Sequence, residues 1–230
     1  MSILTETQLQ RDQELASLLN MPLEAVQKLE IASPDSIRIY DKETEPEDKE
    51  ALYRDYKYLN WPAYLKTLMK TSVKNRHPEL FKLIENTHNK SCLDFGSGVG
   101  THSIALLENN NIVGILDVPG KLINFAEGRI IRRGYIDNVG SYDNWMNLPD
   151  NEYDVVICAD TLEHVSSPLK ELKRIHKTMK VGGVLHLLVS EMRKPSSGHF
   201  DSSINEWKTT GKEFMKKHFD KIGATLYRKK

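Results

Sequence analysis

Along the second half of the chain, short apolar runs alternate with longer stretches of helical period. Ser91 to Phe95, Ile112 to Leu116, Tyr153 to Ala159 and Val184 to Ser190 are mostly apolar runs of strand length, the pattern of strands buried on both faces. Between the last two, Pro168 to Met179 sets Leu169, Leu172, Ile175 and Met179 along one helical face. Ser167 precedes it as an N-cap, Pro168 takes the first helical position, and Gly182-Gly183 follows as a stop signal. Buried strands alternating with amphipathic helices predict an α/β domain, a mainly parallel sheet with helices on both faces.

Ahead of it, Thr5 to Ile31 reads as amphipathic helix. Leu15, Leu18 and Leu19 share a face, Asn20 interrupts, and Pro22 opens a second helix carrying Leu23, Val26 and Leu29, before a turn at Ser33-Pro34-Asp35. Two short helices at a tight turn have the outline of a DNA-binding helix-turn-helix. The charge is wrong for that: Arg11 and Lys28 stand among Glu6, Asp12, Glu14, Glu24 and Glu30, where phosphate contacts need a basic surface. The expected role is packing, on the core or on a second subunit. Asp41 to Glu50 is acidic and poor in apolar residues, an exposed linker. Tyr53, Tyr56, Tyr58, Trp61 and Tyr64 follow, with helical patterning to about Ile84. These rings are either core residues or a cap over a substrate pocket. The expected organisation is a helical arm over residues 1–40, a linker and helical cap over 41–90, and the sheet domain over 91–230.

Composition adds limits. The chain has 230 residues, 39% hydrophobic and 28% charged, enough for one α/β domain with an extension. Lys plus Arg (32) balance Asp plus Glu (32), so the basic excess of a nucleic-acid or anionic-membrane binder is absent and nucleic acid is an unlikely partner. Cys92 and Cys158 both fall in apolar runs, which suggests free thiols in a reducing compartment. The opening MSILTETQLQ lacks a signal-peptide pattern, and no stretch is long enough to span a bilayer. A cytoplasmic protein without membrane contact is expected.

The first apolar run ends in Asp94-Phe95-Gly96-Ser97-Gly98-Val99-Gly100, and a helix begins near Thr101. Glycines here let the backbone approach a ligand closely. A dinucleotide fingerprint, G-x-G-x-x-G/A, would need glycine or alanine where Thr101 or Ser103 stands, and a Walker-type loop would need Gly-Lys-Ser/Thr. Neither is present. The pattern D-x-G-x-G-x-G instead resembles motif I of class I S-adenosylmethionine-dependent methyltransferases. The resemblance covers roughly Ser91 to Ser190 and implies their Rossmann-like fold, with S-adenosylmethionine as cofactor. Asp117, after Ile112 to Leu116, lies at the spacing of a ribose-binding acid. The usual pattern of glycine, hydrophobic residue and acid, counted from Gly114, falls on Leu116. Asp117 is one later, a shift that would flip a side chain within a strand, though a strand end can re-aim it. Tyr142 to Pro149 resembles the adenine-reading loop, placing the contact on Asn144 or alternatively Asp143. Asp160-Thr161-Leu162-Glu163-His164 resembles the D-x-L-E-H stretch of small-molecule members. The resemblance therefore implies Asp94, Gly96, Gly98, Gly100, Asp117, Asn144 and Asp160 as cofactor-binding residues.

Methyl transfer from a sulfonium is a direct displacement, so the protein mainly aligns donor and acceptor and excludes water. A base is needed only when the acceptor enters with a proton that must leave. His164, at the end of the D-x-L-E-H stretch, is the first candidate for that catalytic role, unless it only orders its loop. His199, in Ser197-Gly198-His199-Phe200, is the second. His102 sits where a supporting or helix-start role is expected. No pair of these histidines has the short spacing of a metal site, so no metal is expected. Lys208, Lys212, Lys216, Lys217, Lys221, Arg228, Lys229 and Lys230 make the tail basic, which suits a solvated helix face and terminus better than an anionic substrate. Lys212 to His218 reads as helix and Ala224 to Arg228 as strand. The complete sheet of this class has seven strands, and no further strand is visible after the last one. The leading expectation is methylation of a small molecule (a metabolite, sugar or natural-product intermediate). The alternatives are a tRNA or protein methyltransferase, or a cofactor-binding interaction module without turnover.

Overall fold

The apolar runs become the middle of a seven-stranded sheet. A computed structural model of the chain describes residues 2–30, 60–71, 78–142, 147–191 and 199–230. Its strands are β1 (Ser91–Phe95), β2 (Ile112–Leu116), β3 (Val139–Tyr142), β4 (Tyr153–Ala159), β5 (Met179–Leu188), β6 (Phe219–Lys221) and β7 (Leu226–Lys229). They lie in the order β3-β2-β1-β4-β5-β7-β6. The first five are parallel, and β7 runs antiparallel between β5 and β6. The described helices are α1 (Gln8–Leu19), α2 (Leu23–Lys28), α3 (Trp61–Thr71), α4 (Pro78–Glu85), α5 (Thr101–Leu107), α6 (Lys121–Arg132), α7 (Pro168–Thr178), α8 (Asp201–Glu206) and α9 (Lys212–His218).

Side chains of the central strands alternate between two cores. Cys92, Val155 and Ile157 face one cluster with Ile104, Ile123 and Ile130, whereas Leu93, Val156 and Cys158 face another with Leu172, Ile175 and Met215. Helices thus cover both faces, as the pattern predicts. The two cysteines are buried and unpaired by disulfide.

Two strands escape the pattern and one is longer than expected. β3 is an edge strand without a fully buried residue, and β6 has three residues of which only Phe219 is buried. The missing partner of the last strand therefore exists, but it precedes β7 and does not follow it. Thr178 ends α7, and β5 begins at Met179, so Gly182 and Gly183 lie within the strand. A register break against β4 between Tyr153 and Val155 accommodates them.

The described part of the arm forms two short helices and packs on its own chain. Thr7 and Gln10 close a capping box on α1, and Asn20 ends the helix in the left-handed conformation, with φ 52°. Leu15, Ala16 and Val26 pack with Leu65 and Met69 of α3 and with Leu122 and Phe125 of α6. Lys66 Nζ donates to the carbonyls of Val26 (2.8 Å), Gln27 (3.1 Å) and Leu29 (3.1 Å), capping α2. Glu14 binds Arg129 of α6 and Arg133, the residue that caps it, at 2.9 Å each. The turn at Ser33-Pro34-Asp35, the acidic stretch and Tyr53, Tyr56 and Tyr58 lie outside the described residues. Among the described residues, no helix is long and apolar enough to cross a membrane.

Candidate active site

β2, β1 and β4 end side by side. Chain order reverses there, because β2 and β3 lie on one side of β1 and β4 on the other. Open α/β sheets place ligands at this crevice. After β1 the backbone turns through Gly96, Gly98 and Gly100, at φ 79°, 54° and 72°. A Cβ on Gly96 would lie 2.3 Å from Thr161 Oγ1, and one on Gly100 3.1 Å from the Cβ of Ala126 in α6. Thr161 Oγ1 is in turn 3.1 Å from the Ala159 carbonyl oxygen and 3.3 Å from that of Phe95. On the other side, the Leu116 carbonyl accepts the N–H groups of Gly96 (2.8 Å) and Ser97 (3.0 Å). The turn is thus tied to both neighbouring strands.

Asp117 is the first residue past β2, and leaving the strand re-aims its side chain. Oδ2 accepts the Gly98 N–H at 2.7 Å and Oδ1 the Val118 N–H at 2.8 Å. Burial pushes this carboxyl up to about 6, against the pull of those two N–H groups, and Asp94 adds to the rise. A carboxylate with lone pairs left over at this turn can accept the hydroxyl protons of a ribose. Asp94 itself is buried beneath the turn, where it accepts from Ser103 Oγ at 2.5 Å. Burial raises its pKa, while His102 and Ser103 pull it back. Asp94 therefore braces the turn against the start of α5, with His102 as its supporting neighbour.

Past β4, Asp160 is exposed at φ 50°, with its N–H on the Leu188 carbonyl at 3.1 Å. A left-handed Asp is tolerated but strained. His164 and His199, from separate segments, come together with ring centroids 4.8 Å apart, edge to face. Between those segments, fully buried Glu163 accepts the Ser190 N–H on Oε1 at 2.9 Å, and its carbonyl accepts the Phe200 N–H at 3.0 Å. Burial pushes the Glu163 carboxyl up to about 8, with its own N–H and that of Ser190 pulling down. Where α3 packs against α6, Lys121 Nζ stands 5.9 Å from the Trp61 ring, and the Trp61 and Tyr64 ring centroids are 6.1 Å apart. Asn144 and Asp143 lie outside the described residues. Thr161, which forbids a side chain at Gly96, and Arg129, whose Nη1 holds the Val99 carbonyl at 2.5 Å, have no signal in the sequence. Both act through contacts between distant segments.

A family model described as a methyltransferase domain matches residues 60–225. A ubiquinone/menaquinone biosynthesis C-methyltransferase of Brucella abortus is 30% identical over 122 residues, covering 50% of this chain and 44% of that protein. A ubiquinone biosynthesis O-methyltransferase of Coxiella burnetii is 31% identical over 97 residues, covering 42% of each chain. The chain thus spans less than half the length of these relatives. Among solved structures, the tRNA (m1A58) methyltransferase of Aquifex aeolicus aligns with a TM-score of 0.48 at 15% identity, covering 67% of this chain and 69% of that one. Matched over most of its length, the chain belongs to this methyltransferase-domain family, as a class I domain that uses S-adenosylmethionine.

Proposed function

We propose that this chain transfers the methyl group of S-adenosylmethionine to a small-molecule acceptor. The observation that carries the reading is the contact between the Asp117 carboxylate and the glycine turn at the point where strand order reverses. In this reading Asp117 holds the ribose hydroxyls, and the open backbone at Gly96, Gly98 and Gly100 admits the donor. Asp160 borders it, Asp94 stiffens the turn from below, and Asn144 meets the adenine edge. His164 and His199 stand on the acceptor side, as the groups that deal with the acceptor's proton. The sulfonium makes the thioether a good leaving group, so alignment and exclusion of water supply most of the rate. Similarity to two ubiquinone-pathway methyltransferases and a net charge of zero favour a small molecule over RNA.

The buried Asp117 gives a pH signature. Its pKa of about 6 leaves it almost fully ionised at about pH 7.5 and about one-quarter ionised at about pH 5.5. Cofactor affinity, measured by calorimetry, is expected to fall about four-fold over that interval. Folding linkage has the opposite sign. A carboxyl raised above its unfolded value costs the ligand-free fold stability as pH rises from about 4 to about 6. Bound ribose hydroxyls restore it.

Incubation with methyl-labelled S-adenosylmethionine and fractionated cell extract tests the acceptor class. Label is expected in the small-molecule fraction, and alanine at His164 or His199 should lower it. Label confined to RNA or to precipitated protein would contradict the reading, as would cofactor binding with no labelled product.

A further inference from the structure

We infer that Glu163, His164 and His199 form a binding site for a divalent transition-metal cation of the Zn²⁺ or Mn²⁺ kind. Each residue offers one ligand atom, and the three atoms lie within 4.8 Å of one another. The Glu163 side chain is fully buried, and its Oε2 has no hydrogen-bond partner among the described residues. A buried polar atom without a partner is costly, and a cation is one way to satisfy it. Oε1 is already held by the Ser190 N–H, which orients the carboxylate much as outer hydrogen bonds orient metal ligands. The Phe200 N–H on the Glu163 carbonyl fixes the segment that carries His199. Two imidazoles and one carboxylate suit Zn²⁺ and its first-row neighbours, and they leave coordination positions open. Mg²⁺, which prefers oxygen ligands, suits the set less well. The sequence-based expectation of no metal relied on spacing, and spacing cannot show His199 returning to Glu163 and His164.

The site follows the carboxyl end of β4, beside the crevice assigned to the donor. Its role, though not its existence, rests on the proposed methyl transfer. An acceptor hydroxyl entering an open coordination position would lose its proton to solvent and remain bound as the oxyanion. That oxygen attacks the methyl carbon, forming the O–C bond as the S–C bond breaks. Methyl ether and S-adenosylhomocysteine leave, with one proton released in all. The two histidines then act as ligands, and the cation takes over the work of a base.

The test is calorimetric titration of the full chain, stripped with a chelator, with ZnCl₂, MnCl₂ and MgCl₂ in turn. One equivalent of Zn²⁺ or Mn²⁺ should bind at micromolar or tighter Kd, and Mg²⁺ more weakly. Glu163→Gln and His199→Ala should each weaken binding at least about 30-fold, since even outer-sphere changes cost 10- to 100-fold. Should Glu163→Gln fail to fold, His164→Ala and His199→Ala decide. No saturable Zn²⁺ or Mn²⁺ binding, or binding unchanged in the variants, overturns the site. S-adenosylhomocysteine titrated into the wild-type chain separates the two readings. Its failure to bind sinks the methyl-transfer reading, while the metal titration still judges the site.

Discussion

Replacing Arg129 with alanine is expected to destabilise the fold by about 3–5 kcal/mol, seen as a lower midpoint in urea unfolding. Arg129 is the largest fully buried side chain among the described residues, 1% exposed. Its Nε and Nη2 donate to Glu14 Oε2 at 3.1 and 2.9 Å, and its Nη1 to the Val99 carbonyl at 2.5 Å and Thr101 Oγ1 at 3.1 Å. One guanidinium thus ties the N-terminal arm to the glycine turn. Burial alone would raise the Glu14 pKa, but Arg129 and Arg133 hold it below the ordinary carboxylate range. Removing Arg129 takes away one of its two cations and strands the Val99 carbonyl. The cost comes from the partners left unpaired in a buried place. Glu14→Gln, which keeps hydrogen-bonding atoms near both arginines, should cost less. Loss of under about 1 kcal/mol in Arg129→Ala would mean that the arm is not anchored there. Because Val99 belongs to the glycine turn, the same variant should also bind cofactor more weakly.

What the sequence disclosed and what it hid divide along physical lines. β1, β2 and β4 match their apolar runs residue for residue, because strands buried on both faces need uninterrupted hydrophobicity. α7 shows its N-cap, its first-turn proline and its apolar face. β3 and β6 carry little hydrophobic signal because edge strands bury little. Gly182-Gly183 has the look of a helix stop, but the glycines serve the strand irregularity one step later. At the candidate site, the glycine turn and Asp117 are proposed from their spacing and the resemblance to motif I, and only the structure shows that the strand end turns Asp117 toward Gly98. Asp94 was legible as a residue, but its burial under the turn was not. The meeting of His164 with His199 joins two segments far apart in the chain, and no local pattern encodes that.

The second large effect concerns Asp117, whose carboxylate is the proposed acceptor of both ribose hydroxyls. Each charge-assisted hydrogen bond contributes about 1.5–3 kcal/mol, so losing two predicts a drop in affinity of about 100-fold or more. The ligand-free fold should tolerate alanine there, because burial already disfavours the ionised carboxyl. A drop in binding would then not reflect unfolding, and a thermal melt of each protein checks this. The deciding measurement is calorimetric titration of S-adenosylmethionine into the wild-type chain and Asp117→Ala at about pH 7.5. Saturable one-to-one binding to the wild type, weakened about 100-fold or more in the variant, is the predicted result. No binding to the wild type, or equal affinity in the two proteins, would contradict the assignment of this turn as the cofactor site.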